Sequence, residues 1–98
     1  MNSETEPDRA GEKFSLGQLV ATKNAVSTLF PEDIRSALRR HITGDWGDLD
    51  TEDKLANENA ILLGERLFSA YHSVAGVKFY VITEWNRSLT TVLLPEDY

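Results

Sequence analysis

The stretch Gly44–Asp53 most limits how this chain can fold, because it gathers glycine, acid and one tryptophan into ten residues. Glycine ends helices and opens turns, so a helix that reaches Gly44 should stop there. Asp50 precedes a run with apolar residues at helical spacing, which is the position of a helix N-cap. Trp46 is large enough to fill a gap in a small core. The stretch therefore predicts a loop between two helices.

The chain before this loop reads as a short strand followed by two helices. Residues 13–21 alternate apolar and polar side chains around one glycine, which indicates a strand with a bend or bulge. A short helix is predicted for residues 23–29, with Thr22 as its N-cap. A second helix is predicted for residues 31–43, since Pro31 suits the first helical position and acid precedes base along it.

The chain after the loop reads as one helix and a three-stranded antiparallel meander. The helix is predicted for residues 51–63 and ends at Gly64, and the strands for residues 65–72, 77–84 and 88–94. The sequence thus predicts an α+β domain. Its sheet has three or four antiparallel strands, the fourth being the N-terminal one, and it packs against two or three helices.

Periodicity assigns side chains to the core. In the middle strand of the meander, Phe79, Val81 and Thr83 point to one face, and Tyr80 and Ile82 to the other. Both faces are partly apolar, so we expect helices to cover one face and the other to be partly exposed. In the last helix, the residues predicted to be buried are Leu55, Ala56, Asn59, Ala60, Leu62 and Leu63.

The net charge of −6 and the lack of cysteine limit the classes of function. An acidic surface repels nucleic acid and anionic lipid, so a protein partner with a basic surface is favoured over direct contact with DNA, RNA or membrane. The absence of cysteine excludes disulfides and thiolate zinc sites and fits a cytoplasmic protein. Residues 1–12 are polar and acidic, which predicts a disordered tail before a single domain at 13–98. Unpaired strand edges make a monomer and a homodimer both compatible with the sequence.

Metal binding has only partial support. Asp48, Asp50 and Glu52 have the spacing that opens a calcium-binding EF-hand loop, but Asp53 and Asn59 stand where glycine and glutamate are needed. Without cysteine, a zinc site would need both histidines together with carboxylates. We therefore expect neither a metal nor another cofactor.

The histidines and hydroxyl side chains give weak support for catalysis. His41, at the basic end of the second predicted helix, is explained as a cation favoured by the helix dipole or as a hydrogen-bonded residue at the edge of the core. His72 and Glu84 on neighbouring strands could form an acid–base pair. The hydroxyl candidates, which lack the context of a nucleophile elbow, are Ser69, Ser88, Thr90 and Thr91. We expect no enzymatic activity.

The carboxylates of the loop are candidates for contact with a protein partner. Between Asp45 and Glu58 there are six carboxylates and one lysine. Such a density could imitate the phosphates of nucleic acid or could simply begin a soluble helix. Trp85, in the predicted turn between the last two strands, is the candidate apolar contact. The candidate partner-binding residues are Asp45, Asp48, Asp50, Glu52, Asp53 and Trp85.

The chain carries, in order, the segments 14–22, 40–49, 52–54 with Asn57 and Ala60, 64–71, 82–84, 87–88 and 90–98. Together they resemble a family of small bacterial proteins carried on plasmids and other mobile elements. Members are commonly labelled plasmid-related protein, and some type I restriction endonuclease subunit M. This chain differs at Lys23-Asn24, where many members have Pro-Gly. It has neither a cofactor-binding glycine loop nor an Asn-Pro-Pro-aromatic motif, so methylation is not expected.

Three functions follow as hypotheses. The leading one is a non-catalytic protein-interaction module of a mobile element, acting in the bacterial cytoplasm. The alternative is an acidic protein that imitates nucleic acid and inhibits a bacterial defence system, as anti-CRISPR and anti-restriction proteins do. The third is a small enzyme.

Overall fold

The computed structural model of the chain describes residues 11–98, which form one four-stranded sheet, three α-helices and a 3₁₀ turn. The disordered tail predicted for residues 1–12 lies outside the described residues, apart from its last two. None of the helices in this part of the chain is long and apolar enough to cross a bilayer. The elements are β1 (Gln18–Ala21), α1 (Lys23–Thr28), α2 (Pro31–Ile42), α3 (Thr51–Leu63), β2 (Leu67–His72), β3 (Lys78–Thr83), β4 (Leu89–Leu93) and a 3₁₀ turn (Pro95–Asp97).

The sheet confirms the predicted α+β class and contains one parallel pair. Its strand order is β1-β4-β3-β2, and β2, β3 and β4 form the predicted antiparallel meander. β1 runs parallel to β4, with Gln18 level with Leu89 and Ala21 level with Val92. The prediction of antiparallel pairing is therefore wrong for β1. Three helices separate β1 from the meander, so the strand can enter the far edge in either direction, and alternation of side chains does not indicate which.

The main core lies between one face of the sheet and the helices α1 and α2. The alternation predicted for β3 is confirmed, because Phe79 and Val81 point into this core together with Val92 of β4. The two helices contribute small residues, among them Ala25 of α1 and Ala37 of α2. Small side chains on the helices let their backbones approach the sheet closely, so the large side chains of the strands fill the space between the layers.

A second core cluster lies between the acidic loop and α3. Trp46 is buried and packs with Ala60 and Leu67, which confirms its predicted place in the core. The neighbouring Gly47 lies against β2 so closely that a Cβ atom there would sit 2.0 Å from the carbonyl oxygen of Ala70. Only glycine fits this approach, and its φ of +78° also favours glycine. The loop is thereby fixed to the edge of the sheet.

α3 begins and ends as predicted. The Asp50 side chain accepts a hydrogen bond from the Asp53 N–H at 2.8 Å, so Asp50 is the N-cap. Gly64 follows the last turn in the left-handed conformation that stops a helix.

The face of α3 that packs inward differs from the predicted one. Its buried residues are Asn57 and Ala60. The Asn57 carboxamide donates to the Phe68 carbonyl at 2.7 Å and accepts from the Phe68 N–H at 3.1 Å, so it takes the place of a neighbouring strand. Because this contact fixes the rotation of the helix, all but one of the residues predicted to be buried are exposed. The exposed ones are Leu55, Ala56, Asn59, Leu62 and Leu63.

Candidate functional site

The acidic loop is partly neutralised within the molecule. Arg40 approaches both carboxylate oxygens of Asp45, with Nε–Oδ2 at 2.7 Å and Nη2–Oδ1 at 3.2 Å. The hydrogen bond with Arg40 is the main reason that the pKa of Asp45 lies below its usual value. The same hydrogen bond raises the pKa of Arg40. The Tyr71 hydroxyl donates to the Asp45 carbonyl at 2.6 Å. Asp45 is therefore engaged by the fold itself.

Asp48 and Asp50 are also used within the molecule. Asp48 Oδ2 lies 2.7 Å from His72 Nδ1, and the Asp48 N–H donates to the backbone of β2 at 2.7 Å. Asp50 caps α3. Three of the five loop carboxylates predicted to contact a partner thus already have partners in their own chain. Glu52 and Asp53 remain.

Glu52 and Asp53 lie exposed in the first turn of α3. Among residues 11–98, neither carboxylate takes part in an ion pair. The positive end of the helix dipole favours acid at this place, so folding alone gives a reason for its presence. Glu58, further along the helix, accepts a hydrogen bond from the indole of Trp46 at 2.8 Å. The N-terminal part of α3 therefore presents acid to the solvent.

The outward side of α3 is apolar beyond its first turn. Leu55, Leu62 and Leu63 expose 58%, 83% and 69% of their surface. Positions 52, 55, 59 and 62 follow one another at intervals of three and four residues, so their side chains share one side of the helix. Polar residues at these positions would form the same helix, so folding does not require leucine there. We call this surface the α3 outer face; it comprises Glu52, Leu55, Asn59, Leu62 and Leu63.

The turn between β3 and β4 lies against the C-terminal end of α3. Arg87 in this turn has φ 61°, an uncommon conformation for a residue other than glycine. Its guanidinium donates to the backbone carbonyls of Ala60 at 3.0 Å, Glu65 at 2.6 Å and Trp85 at 3.2 Å. A cation is favoured at this end of a helix. Trp85 is 65% exposed, and Arg87 holds its backbone near the C-terminal end of α3.

The side chains best suited to acid–base or nucleophilic chemistry are buried. His41 is 0% exposed, with Nδ1 2.6 Å from Ser69 Oγ and Nε2 2.9 Å from Thr83 Oγ1. Thr83 Oγ1 lies 2.7 Å from Thr90 Oγ1. Thr90 Oγ1 in turn lies 2.7 Å from the carbonyl oxygen of Leu16. We call the four side chains of His41, Ser69, Thr83 and Thr90 the His41 network.

The directions of the hydrogen bonds from His41 Nε2 onward follow from the last acceptor of the His41 network. A carbonyl oxygen can only accept, so the Thr90 hydroxyl donates to it. Thr83 must then donate to Thr90, and His41 must donate from Nε2 to Thr83. With the proton of a neutral ring on Nε2, Nδ1 accepts from the Ser69 hydroxyl. Burial, helped by the charge of Arg87, lowers the pKa of His41 to about 4, in agreement with a neutral ring. The prediction of a hydrogen-bonded core residue is right, and that of a cation is wrong.

The His41 network contains a hydroxyl–imidazole pair but is closed to solvent. Ser69 and His41 are both fully buried, and three cavities of 570, 450 and 300 Å³ at the surface of the described residues are lined by other side chains. The predicted pair of His72 and Glu84 does not form. His72 ends β2 opposite Lys78, and Glu84 follows the other end of β3, about 20 Å away along the strand. Glu84 lies 3.7 Å from Arg66 instead.

The described residues also do not assemble a metal site. Between residues 11 and 98, no three histidine or acidic side chains lie in a group that could hold an ion. The two histidines lie in different surroundings and make different contacts. His41 bonds to hydroxyls in the core, and His72 bonds to Asp48 at the surface.

Comparison of the chain with models of known protein families, with curated proteins and with solved structures gives no match. The resemblance to plasmid-borne proteins therefore stays a prediction. The site residues that sequence reasoning missed are the leucines of the α3 outer face, because α3 has two candidate stripes and periodicity selects the more apolar one. No local signal would have found them, since the inward stripe is selected by the contact of the Asn57 carboxamide with Phe68 across the molecule.

Proposed function

We propose that this chain is a non-catalytic protein-interaction module that binds its partner through the α3 outer face. The observation that carries the proposal is the inversion of α3, in which leucines face the solvent while Asn57 faces the sheet. The proposal sets the module in the bacterial cytoplasm, which the lack of cysteine favours. It also sets the module on a mobile element, which the family resemblance favours.

Covering the exposed leucines would supply the binding free energy. Burying one leucine side chain contributes about 1.5–3 kcal/mol. Three leucines that are each more than half exposed therefore offer several such contributions, from which the ordering costs of association must be subtracted. Trp85, whose backbone is held near the C-terminal end of α3, is a further exposed apolar side chain, and tryptophan is among the residues that most often anchor an interface.

The charges around the α3 outer face favour a partner with a basic surface. Glu52 and Asp53 lie at its N-terminal end, and Glu58 lies further along the helix. Lys54 is the one basic residue of α3, so the acidic residues outnumber the basic ones. The whole chain carries a net charge of −6. Complementary charge speeds encounter and excludes wrong partners, and the same charge opposes direct contact with nucleic acid.

An inhibitor that imitates nucleic acid is the second candidate and receives less support. Such a protein needs an array of unpaired carboxylates to enter a basic groove. The ion pair of Asp45, the hydrogen bond of Asp48 with His72 and the capping bond of Asp50 occupy three of the five loop carboxylates. The family resemblance favours this candidate, because a mobile element gains from blocking a CRISPR or restriction system. The enclosed His41 network gives a small enzyme no support.

The test compares two exposed apolar residues replaced by serine. Leu62→Ser removes the most exposed leucine of the α3 outer face, and Val74→Ser changes a residue that is 93% exposed in the turn between β2 and β3. Tagged variants capture partners from an extract of a bacterial host, and the dissociation constant is then measured for the purified partner. We expect Leu62→Ser to weaken binding by at least about tenfold and Val74→Ser to leave it unchanged. Equal binding by both variants would remove the α3 outer face from consideration.

Salt dependence separates the two candidate functions. Binding through an apolar anchor with an acidic rim should weaken only moderately as the salt concentration rises, because burial of leucine is not screened. Binding by imitation of nucleic acid should weaken steeply, since it depends on ion pairs with a basic groove. A steep loss of affinity that is insensitive to Leu62→Ser would favour the inhibitor.

A further inference from the structure

The two edges of the sheet differ in how their backbone groups are satisfied. At the β2 edge, Phe68 exchanges two hydrogen bonds with the Asn57 carboxamide. Two residues further on, Ala70 accepts from the Asp48 N–H at 2.7 Å and donates to the Trp46 carbonyl at 3.3 Å. α3 and the acidic loop therefore close the β2 edge.

At the opposite edge, β1 has outward backbone groups without a partner strand among residues 11–98. The N–H group of Gln18 donates to the carbonyl of Ser88, just before β4, at 3.0 Å, and that of Thr22 donates to Val92 of β4 at 2.9 Å. Because N–H groups alternate in direction along a strand, Val20 also donates towards β4. Leu19 and Ala21 then direct their N–H and C=O groups away from the sheet.

Apart from its shortness, β1 has none of the features among residues 11–98 that usually protect an edge strand. Its sequence, Gln-Leu-Val-Ala, contains no charge and no proline, and all four residues are exposed. The apolar side chains of Leu19 and Val20 are 52% and 38% exposed. Asp97, close to the end of the strand, is engaged by Thr22 and Asn24 at 2.6 and 2.7 Å. Monomeric proteins usually blunt an open edge with charge, proline, a bulge or a covering segment.

The distribution of charge allows two copies of an acidic molecule to meet at β1. Residues 13–31 contain two lysines and no carboxylate, whereas six carboxylates lie between Asp45 and Glu58. The latter belong to the loop and the helix that close the β2 edge. Pairing at β1 therefore places the most acidic parts of two molecules at opposite ends of the joined sheet, where their repulsion is weakest.

We propose that β1 pairs with β1 of a second copy of this chain in antiparallel orientation. Outward-directed residues must face outward-directed residues, so Leu19 lies opposite Ala21 of the second copy, and Ala21 opposite its Leu19. These two pairs form four N–H···O=C bonds, and Val20 faces its own counterpart across the two-fold axis. Two sheets of four strands become one sheet of eight.

This pairing is independent of the proposed function and compatible with it. The α3 outer face lies at the other edge of the sheet, so the dimer leaves both copies of that surface open. Two paired strands of four residues make a small interface against the roughly 800 Å² per partner of a stable complex. We therefore expect a weak dimer that forms in the upper micromolar range.

Amide hydrogen exchange followed by NMR tests the pairing residue by residue. We expect exchange at Leu19 and Ala21 to slow by about two- to threefold as the protein concentration rises from about 20 μM to about 1 mM, because a dimer this weak still leaves about a third of the chains monomeric at 1 mM. Gln18, Val20 and Thr22 donate towards β4, so their amides should be protected at every concentration and serve as an internal control. Rapid exchange at Leu19 and Ala21 over the whole range would overturn the proposal.

Two valine-to-lysine substitutions give an independent measurement. Val20→Lys brings two like charges face to face across the two-fold axis, so it should weaken the dimer by at least about tenfold. Sedimentation should then give the monomer mass of 11.0 kDa at concentrations where the unchanged protein is dimeric. Val74→Lys makes the same change of charge in the β2–β3 turn and should leave the dimer intact. A dimer that survives Val20→Lys, with circular dichroism unchanged in both variants, would contradict pairing through β1.

Discussion

The His41 network and the α3 outer face both depart from the usual division of residues between core and surface. The first places polar side chains in the core, and the second places apolar side chains at the surface. The network places an imidazole and three hydroxyls in the core, and each of these side chains is hydrogen-bonded. The outer face places three leucines in water. The first inversion is compensated by contacts within the fold. The second has no such compensation among the described residues.

This difference separates what stabilises the molecule from what a partner can use. An unpaired buried polar group costs about 1–3 kcal/mol, so a complete network is tolerated while an interrupted one is not. An exposed leucine contributes little to folding, and its burial can instead contribute to binding. Substitutions in the network should therefore change stability, and substitutions on the outer face should change association.

Loss of the imidazole should give the largest effect on stability. His41→Ala leaves a cavity beside Phe14 and Trp46, whose ring centres lie 5.2 and 5.6 Å from that of the imidazole. It also leaves the hydroxyls of Ser69 and Thr83 without one of their partners. We expect the free energy of unfolding to fall by about 3–5 kcal/mol, measured by urea denaturation.

The second histidine supplies the control for this experiment. The His72 side chain is half exposed and forms a surface pair with Asp48. His72→Ala should therefore lower the free energy of unfolding by less than about 1 kcal/mol. Equal losses in the two variants would mean that the buried network contributes no more than a surface pair does.

Acid should weaken the fold through His41 in a defined range of pH. The pKa of His41 is about 4 in the folded protein, against 6.5 as its ordinary value. Between these values the unfolded chain binds a proton that the folded protein does not, so stability falls as the pH is lowered from 6.5 towards 4. A pKa difference of this size corresponds to a loss of about 3 kcal/mol in the free energy of unfolding. Above pH 6.5 the imidazole is neutral in both states and has no effect on the pH dependence.

Replacing each histidine identifies the group that titrates. The slope of the unfolding free energy between pH 6.5 and 4 should become flatter in His41→Gln and persist in His72→Gln. A slope that survives His41→Gln would assign the pH dependence to another group. Below pH 4 a further decline is expected in all variants, because the pKa values of Asp45 and Asp97 lie below the usual value and protonation removes their ionic hydrogen bonds.

The parts of the fold that depend on neighbours along the chain could be predicted from the sequence. Thr22 and Asp50 cap their helices as predicted, and Gly64 ends α3, because each of these roles is decided within one turn of helix. The direction of β1 and the rotation of α3 could not be predicted. They depend on contacts across the molecule, such as that of Asn57 with Phe68, which no local pattern encodes.

The candidate site shows the same limit. The predicted turn indicates Trp85 and the charge pattern indicates the acid of α3, whereas periodicity assigns the leucines to the core. Periodicity cannot distinguish a stripe that faces a sheet from a stripe that faces a partner. The His41 network was hidden for a related reason, because only the register of β2 and β3 brings Ser69 and Thr83 to the imidazole.

The smallest expected effect on stability tests the rotation of α3 most directly. Ile61 is half-buried and packs against the Trp46 cluster, whereas Leu62 beside it is 83% exposed. We expect Ile61→Ser to lower the free energy of unfolding by about 1–3 kcal/mol and Leu62→Ser to change it by less than about 0.5 kcal/mol. Both substitutions remove an aliphatic side chain of the same size from the same helix, so the difference reports which side faces the core. A large loss for Leu62→Ser would mean that this leucine is already covered in the free protein, and the α3 outer face could then not serve as a binding surface.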